Sequence, residues 1–583
     1  MARCLPRTLR LFLLALSALA GIACVSQIKP PGPPKAFLVY PVEKVRPERL
    51  VGSQTTAVVR LAGGEYEAVV LGANGPTAIS GLRVTLPLPA TPGGDELRLA
   101  AYRIEYVPIE HASQWFACTR GLWPDPLVPL QPRAMEETVD GSRVMAWDLE
   151  RPLDVPVGEN RTLLLEIFLP PGNRSDADVD VELLTEAGSA RCSIQVRPWG
   201  FDLPKAPAFS TAFGFSSSRA IANHRGIAPD DLDADRLVRD YLRLLARFRV
   251  SVFSPFEGAV GRLGDDGTLS FDWTGFDNVT GALLDGTLFD DAPPATSFAV
   301  PKPPKDLAPA RVGEWYRAVE DHLREKGWLE RGFASLPDEP MRSEYPEVKA
   351  SAEAIKAAAP GIRTLVTEPF TRALEGAIDI WCPDLWALGD SILCMPFAVR
   401  WPYRFHFDFQ RNPDPRVYRD RVARGENAWF YTGLSAFAFD YPNLFIDTRG
   451  ESQRVIPWLA FRYGITGLLY WQTVSAYSQK GDPWSQPRVM MTNGDGNLLY
   501  PGAPGRSDIV SHKPVPSLRL VLLRDGMEDY EYLALLERDG DGKLAGQLAR
   551  AVAPSSLTWS HDASVLLRMR AAAAERIAAA GKR

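Results

Sequence analysis

Phe333-Ala334-Ser335-Leu336-Pro337-Asp338-Glu339-Pro340 is the stretch on which the reading of this 583-residue sequence turns. A short apolar run ends in two adjacent carboxylates, and a proline closes it. Proline cannot donate to a sheet ladder, so a strand should stop there. Taken alone, Asp-Glu-Pro also makes an ordinary solvated turn. The alternative is chemical. Enzymes built on a barrel of parallel strands keep their reactive groups at strand ends, and paired carboxylates are the usual equipment for acid/base work on glycosidic bonds.

The flanking sequence decides between the two. From about Phe201 onward, strand-like and helix-like segments alternate. Strands are expected at Ser210–Ser216, Arg249–Pro255, Ser297–Val300, Gly332–Pro337, Arg363–Thr367, Ile378–Trp381, Ala428–Tyr431 and Gly467–Trp471. Helical spacing lies between several of them. Leu237, Tyr241, Leu244, Leu245 and Phe248 share one face, and Val312–Lys326, Tyr345–Ala359 and Ser452–Tyr463 behave similarly. Eight strands with intervening helices predict a (β/α)8 TIM-type barrel, with the carboxylate pair ending the fourth strand.

Before the barrel the period is different. Ala57–Leu61, Tyr66–Leu71, Arg161–Phe168 and Ser193–Val196 are short strand-like runs punctuated by Gly, Pro, Asn and Asp. They predict an all-β sandwich. After the barrel, Leu518–Leu536 reads as an amphipathic, Tyr-rich helix and Ser564–Ala580 as an Ala/Arg-rich surface helix. The chain therefore divides into a signal peptide (1–24), a Pro-rich tether (25–35), a β-sandwich (36–203), a catalytic barrel (204–540) and a C-terminal helical extension (541–583). Pro198, Pro204 and Pro207 suggest a linker over Arg197–Ala208.

Composition narrows the class. Hydrophobic residues make up 46% and charged residues 23%, as in ordinary globular proteins. A net charge of -6 gives no basic footprint, which argues against nucleic acid as a partner. Arg3, Arg7 and Arg10, the apolar run Leu11–Leu16 and then small residues form an export signal. Gly21-Ile22-Ala23-Cys24 resembles a lipobox, with Gly where Leu is usual. Lipidation of Cys24 and plain secretory cleavage are the two outcomes. The expected location is the periplasm or cell surface, with any membrane contact made through that anchor. No later stretch reaches 18 apolar residues. Cys118, Cys192, Cys382 and Cys394 form no CxxC pair, and there are only six histidines. A structural zinc site is not expected, and free buried thiols are favoured over disulfides. No cofactor is implied.

Four stretches taken together resemble one family. They are Ile456–Trp471 (IPWLAFRYGITGLLYW), Asn493–Gly502 (NGDGNLLYPG), Leu523–Leu533 (LRDGMEDYEYL) and Pro337–Pro340 itself. They look like the bacterial domain of unknown function 4091 and its relative, glycoside hydrolase family 123, over about 205–540. The resemblance implies a retaining exo-β-N-acetylhexosaminidase of N-acetylgalactosaminidase type that works by substrate assistance. The 2-acetamido oxygen would attack its own anomeric carbon, without an enzyme nucleophile. By position, Asp338 would orient the acetamido group and balance the oxazolinium charge. Glu339 would protonate the leaving oxygen and then deprotonate water. A neighbouring carboxylate also raises its partner's pKa, which suits a general acid.

Further candidates lie at the other strand ends. Tyr431, two residues beyond Trp429, is a candidate acetamido or ring contact, with core packing the alternative. Trp471 could floor the sugar site. Trp381 and Asp384 follow the sixth strand, and Glu368 follows the fifth. Asn493 and Asp495 could meet hydroxyls, but a Gly-rich turn explains them as well. Glu528, Asp529 and Glu531 read as a solvated or ion-paired helix face, Arg462 and Arg519 as structural. His406 has no serine or carboxylate motif around it. The rival readings are the same fold acting on another sugar or polymer, and a non-catalytic carbohydrate-binding lipoprotein. An adjacent acid pair argues against the latter, since binding alone does not require one.

Overall fold

The computed structural model describes residues 35–581 except 50, 87–95, 114–117, 134–135, 138–141, 187, 225–232, 290–291, 389–415, 435, 437–438, 476–481 and 503–512. The export signal with Cys24, the tether up to residue 34, Cys394 and His406 lie outside the described residues.

The N-terminal region holds two sheets. One orders its strands Lys35–Val39, Glu65–Asn74, Asn160–Leu169, Arg98–Ile109, Gly121–Pro129. The other runs Thr56–Gly63, Gly188–Asp202, Ala177–Thr185, Thr77–Leu86, Arg143–Val155, Glu136–Glu137. Alternation dictates their packing, because every second side chain points to the same face. Val59 and Leu61, Leu82 and Val84, and Val179, Val181 and Leu183 from one sheet meet Leu163, Leu165, Ile167 and Leu169 from the other in a shared apolar core.

The second region is a nearly closed parallel barrel. Seven strands form its sheet: β1 (Ser210–Phe213), β2 (Phe298–Ala299), β3 (Gly332–Ser335), β4 (Arg363–Val366), β5 (Ile380–Trp381), β6 (Asn427–Tyr431) and β7 (Gly467–Tyr470). Their order is β1-β7-β6-β5-β4-β3-β2. The expected strand at 249–255 is reduced to a bridge that completes the ring. Val252 bridges Phe213, Phe253 N–H donates to Phe213 C=O at 2.7 Å, and Ala299 N–H donates to Phe253 C=O at 2.7 Å. Each of the eight positions sends one side chain into the lumen: Ala212, Phe253, Ala299, Phe333, Leu365, Ile380, Trp429 and Leu469. The lumen is thus a packed core, as parallel barrels require.

Around and beyond the barrel lie α1 (Ala234–Arg247), α2 (Val312–Glu325), α3 (Tyr345–Ala358), α4 (Arg416–Val422), α5 (Gly450–Tyr463), α6 (Leu518–Leu536), α7 (Gly542–Val552) and α8 (Ala563–Ala580). Helix α6 is not amphipathic as expected: every residue but Ala534 is buried. Its charged face meets the N-terminal sheets instead of water. Gly526 permits the close crossing of α5, since a Cβ there would stand 2.4 Å from Arg454 C=O. Helix α8 is likewise more than a surface helix, because Leu566, Arg570, Ala573, Ala574 and Ile577 are buried. The presumed linker is tied down at both ends. Residues 197–202 continue the strand Gly188–Asp202, and the amides of Ala208 and Phe209 donate to Glu531. Cys192 and Cys382 are free, buried thiols, and Cys118 is buried as well. Among the described residues no helix is long and apolar enough to cross a membrane.

Candidate active site

Strand β3 ends at Ser335, earlier than Pro340 suggests. In an extended chain Asp338 and Glu339 would face opposite ways. They do not, because Glu339 adopts φ +44, a left-handed conformation that non-glycine residues rarely take. Such backbone strain concentrates at functional sites. The bend is fastened to the neighbouring strand end by Thr367. Its hydroxyl donates to Asp338 Oδ1 at 2.7 Å and accepts the Glu339 N–H at 2.8 Å. Across the mouth, the Tyr431 hydroxyl donates to Glu339 Oε1. Both acids are solvent-exposed as residues. Loss of hydration at its carboxyl nonetheless raises the Glu339 pKa; the Tyr431 hydrogen bond opposes that rise and the charge of Asp338 adds to it.

The rule of alternation explains who else reaches the mouth. Thr367, Cys382, Tyr431 and Trp471 each lie two residues beyond a lumen side chain, namely Leu365, Ile380, Trp429 and Leu469. Tyr431 and the buried Cys382 thiol pack into that lumen cluster. Asp384 is buried and pairs in register with Tyr431 as a parallel bridge. Burial raises the Tyr431 pKa well above its ordinary value, and the charges of Asp384 and Glu339 add to that.

Trp471 is 41% exposed, and its indole is nonetheless fixed. Nε1 donates to Asp495 Oδ1 at 3.2 Å, and the Tyr470 hydroxyl donates to the same oxygen at 2.9 Å. A Cβ on Gly433, two residues beyond Tyr431, would stand 3.6 Å from both Trp471 Cδ1 and Asp495 Oδ2, so the indole borders the Tyr431 strand end. Gly496 has φ +66, and a Cβ there would come 2.1 Å from Trp471 Cζ2. Only glycine serves both the turn and the indole. Burial pushes the Asp495 carboxyl up to about 6, against the hydrogen bonds from Trp471 and Tyr470.

Trp381 is a correction. As the odd residue after Ile380 it turns outward, fully buried between barrel and helices. Its Nε1 donates to Glu426 Oε2 at 2.9 Å and its ring packs on Phe370. It cannot meet substrate. Glu368 is half-buried and accepts the Tyr345 hydroxyl at 2.6 Å, which ties it to the start of α3. Asn493 is buried and bonded to His111, Ser113 and Asp447, so its role is architectural. Thr367 and Asp495 are the positioning groups that sequence reasoning passed over or left as a turn. Thr367 could have been found by counting two beyond Leu365. Among the described residues no cluster is arranged to hold a metal ion.

Comparison with known proteins points to a glycoside hydrolase. Residues 310–536 match the model for the glycoside hydrolase 123 catalytic domain, a span that contains Asp338, Glu339, Tyr431, Trp471 and Asp495. A family 123 glycoside hydrolase from Clostridium perfringens, solved in a study of glycolipid glycan hydrolysis, is similar in fold. It shows 14% identity and a TM-score of 0.59, covering 94% of this chain and 97% of that one. A putative α-galactosidase from Bacteroides fragilis matches at 13% identity and a TM-score of only 0.23, covering 63% and 73%. No curated protein matches. Over residues 310–536 the chain is similar to the family 123 catalytic domain, and it is a glycoside hydrolase.

Proposed function

We propose that the enzyme is a retaining exo-β-N-acetylhexosaminidase, N-acetylgalactosaminidase-like, in which the substrate's own 2-acetamido group is the nucleophile. The observation that carries this is the bend at Glu339. It brings two adjacent carboxylates to one mouth with different surroundings: Asp338 under a threonine hydroxyl, Glu339 under a tyrosine hydroxyl and with a raised pKa. Two carboxyls with unlike environments divide into an acid and a stabiliser. Protonated Glu339 gives its proton to the leaving oxygen as the acetamido oxygen attacks the anomeric carbon. Asp338 holds the acetamido N–H and balances the oxazolinium charge. Glu339, now ionised, takes a proton from the water that opens the oxazolinium ring and restores the β-anomer. Trp471 is the platform on which the sugar's apolar face stacks.

A panel of aryl β-glycosides with and without a 2-acetamido group tests the reading. Cleavage confined to the 2-acetamido sugars, with inhibition by an oxazoline-mimicking thiazoline, is the expected result. Equal cleavage of a 2-hydroxy sugar and indifference to the thiazoline would assign the nucleophile's role to another carboxylate, such as Glu368 or Asp384. No cleavage of any member would favour a binding protein.

Export and anchoring are part of the same proposal. The charged, apolar and small-residue order ending in Ala23-Cys24 fits a lipid-anchored surface enzyme. Cys24→Ala should shift the protein from the membrane to the soluble fraction; an unchanged distribution would remove the anchor.

A further inference from the structure

The indole of Trp471 depends on the loop Asn493–Asn497, and that loop is held by residues that belong to the N-terminal sheets. Ser113 lies just past the strand Arg98–Ile109 and is buried. Its N–H and hydroxyl donate to the two oxygens of Asp447, at 2.7 and 2.6 Å. The same hydroxyl accepts from the Asn493 backbone N–H at 2.7 Å and from Asn493 Nδ2 at 3.0 Å. Asn493 Nδ2 also donates to His111 C=O at 2.7 Å and to Asp447 Oδ2 at 2.9 Å. A second brace enters from the strand Gly121–Pro129. Asp125 accepts two bonds from the Arg519 guanidinium, at 2.9 and 2.8 Å, and both residues are fully buried. Thus neutralised, Arg519 donates to the carbonyls of Gly494 (2.8 Å), Asn497 (2.6 Å) and Leu444 (2.7 Å).

The loop so gripped presents Asp495 to Trp471 Nε1 and Gly496 to the indole face. The barrel side holds it too: the Tyr470 hydroxyl donates to Asp495 and accepts the Gly496 N–H at 2.6 Å, the Ser475 N–H donates to Gly496 C=O at 2.8 Å, and the Ile446 N–H donates to Asn493 C=O at 2.9 Å. A half-exposed tryptophan kept in one orientation needs such support, because a site tolerates little misplacement.

We propose that Ser113 and Asp125 are positioning residues of the active site. The N-terminal sheets complete the mouth by fixing the loop that seats Trp471. This rests on the reading of Trp471 as the sugar platform.

The test is a double-mutant cycle read in KM, using the best-cleaved substrate of the aryl glycoside panel. Trp471→Ala should raise KM by roughly 10- to 100-fold, as loss of an aromatic platform does. Ser113→Ala should raise KM by about 3- to 10-fold with a smaller change in kcat, and should add nothing further in the Trp471→Ala background. Ser113→Thr, which keeps the hydroxyl, should restore most of the loss. If Ser113→Ala fails to fold, Ser113→Cys, a weaker donor, replaces it in the cycle. Losses that add fully, or an unchanged KM in Ser113→Ala, would overturn the inference and leave the platform intact. An unchanged KM in Trp471→Ala would remove the platform reading itself, and the inference with it.

Discussion

Carboxylates gather at two places in this molecule and meet opposite company. At the barrel mouth, Asp338 and Glu339 are exposed and face a threonine, a tyrosine and each other. Among the described residues no arginine or lysine pairs with either. In the seam between the N-terminal sheets and helices α5, α6 and α8, the acids are dry and every cluster has its guanidinium. Arg454 grips Asp529 with two bonds, at 2.8 and 3.0 Å, and lies 3.5 Å from Glu67. Arg570 reaches Glu65 at 2.6 Å and Glu67 and Asp529 at 2.9 Å. Arg247 and Arg524 pair with Glu166, and Arg249 with Glu528 at 3.1 Å. Cations in the seam hold two regions together. At the mouth no such cation opposes the loss of hydration that raises the Glu339 pKa. Acidic residues alone say little about function; the charge that answers them says more.

The largest effect should come from separating the two. Asp338→Asn and Glu339→Gln should each lower activity by about 10²- to 10⁴-fold while leaving the thermal midpoint unchanged or slightly raised, because a pair of like charges has been relieved. Glu339→Gln should spare substrates with good leaving groups, since an activated phenol needs little protonation. Asp338→Asn should fail on all 2-acetamido substrates alike. Rates on a leaving-group series, set beside thermal melts, check both. A variant that loses activity because it has unfolded would remove the contrast.

The converse is Arg454→Met. It strips Asp529 and Glu67 of one of the two guanidinium groups that answer them, leaving Arg570 alone in the dry seam, which costs on the order of 3–5 kcal/mol. Denaturant melts should show that loss, with kcat per folded molecule retained. The ties across the seam also predict that sheets and barrel unfold in one step, despite the proline run at 198–207. Two resolved transitions in the wild type would break this picture.

A titration sharpens the comparison, because the two regions should respond through different observables. In the seam, burial raises Asp525 and Glu528 to about 7 and about 8, against the pull of Arg524 and Arg249 respectively. Both groups ionise near pH 4 when unfolded. The folded state therefore holds extra protons, and their stabilising contribution is complete below about pH 4. It is lost as pH climbs through 7 and 8. Glu166 has the opposite sign. Burial would raise it, but Arg247 and Arg524 together bring its pKa down, so its contribution is lost only in acid. Thermal midpoints should fall by a few degrees, on the order of 1–2 kcal/mol, between pH 6 and 9. At the mouth the readout is rate: kcat/KM should decline as pH rises past the elevated Glu339 pKa, and that limb should vanish in Glu339→Gln. A flat melting profile, or an alkaline limb that survives Glu339→Gln, would contradict the assignment of the groups.

Legibility followed the same division. Local pattern was enough for the barrel, because period two and period 3.6 are written in the sequence. The strands at Gly332–Ser335, Asn427–Tyr431 and Gly467–Tyr470 fall where alternation put them. Alternation also singled out Tyr431, while Trp471 came from its place at a strand end, and alternation applied strictly would have excluded Trp381. What the pattern hid was partnership. In helix α6 the sequence leaves Glu528, Asp529 and Glu531 as a solvated or an ion-paired face, and the structure shows Glu528 and Asp529 ion-paired. The true solvent of the charges on α6 is Glu67, Glu166, Arg249, Arg454 and Arg570, most of them far along the chain, and the Tyr66 N–H to Glu528 bond spans 462 positions. No window of sequence contains both halves. The bend at Glu339 was hidden for a related reason. Its φ of +44 is imposed by Thr367 and Tyr431 from two other strands, not by local residue preference.

That dependence gives the smallest effect. Thr367→Val keeps the shape of the side chain and removes its hydroxyl. Asp338 Oδ1 then loses a donor, and the Glu339 N–H loses the acceptor that holds it in the left-handed conformation. Neither carboxyl of the pair is removed, so the loss should be far below that of the acid variants, about 10-fold in kcat/KM. Because the bend orients reacting groups more than it binds the sugar, the loss should fall on kcat, with KM little changed. The tie to Tyr431 remains, so Glu339 should keep its raised pKa and the alkaline limb its position. Thr367→Ser, which restores the hydroxyl, should recover most of the rate. A rise confined to KM, or no loss at all, would mean that the Tyr431 hydroxyl alone holds the bend and that Thr367 is a bystander at the mouth.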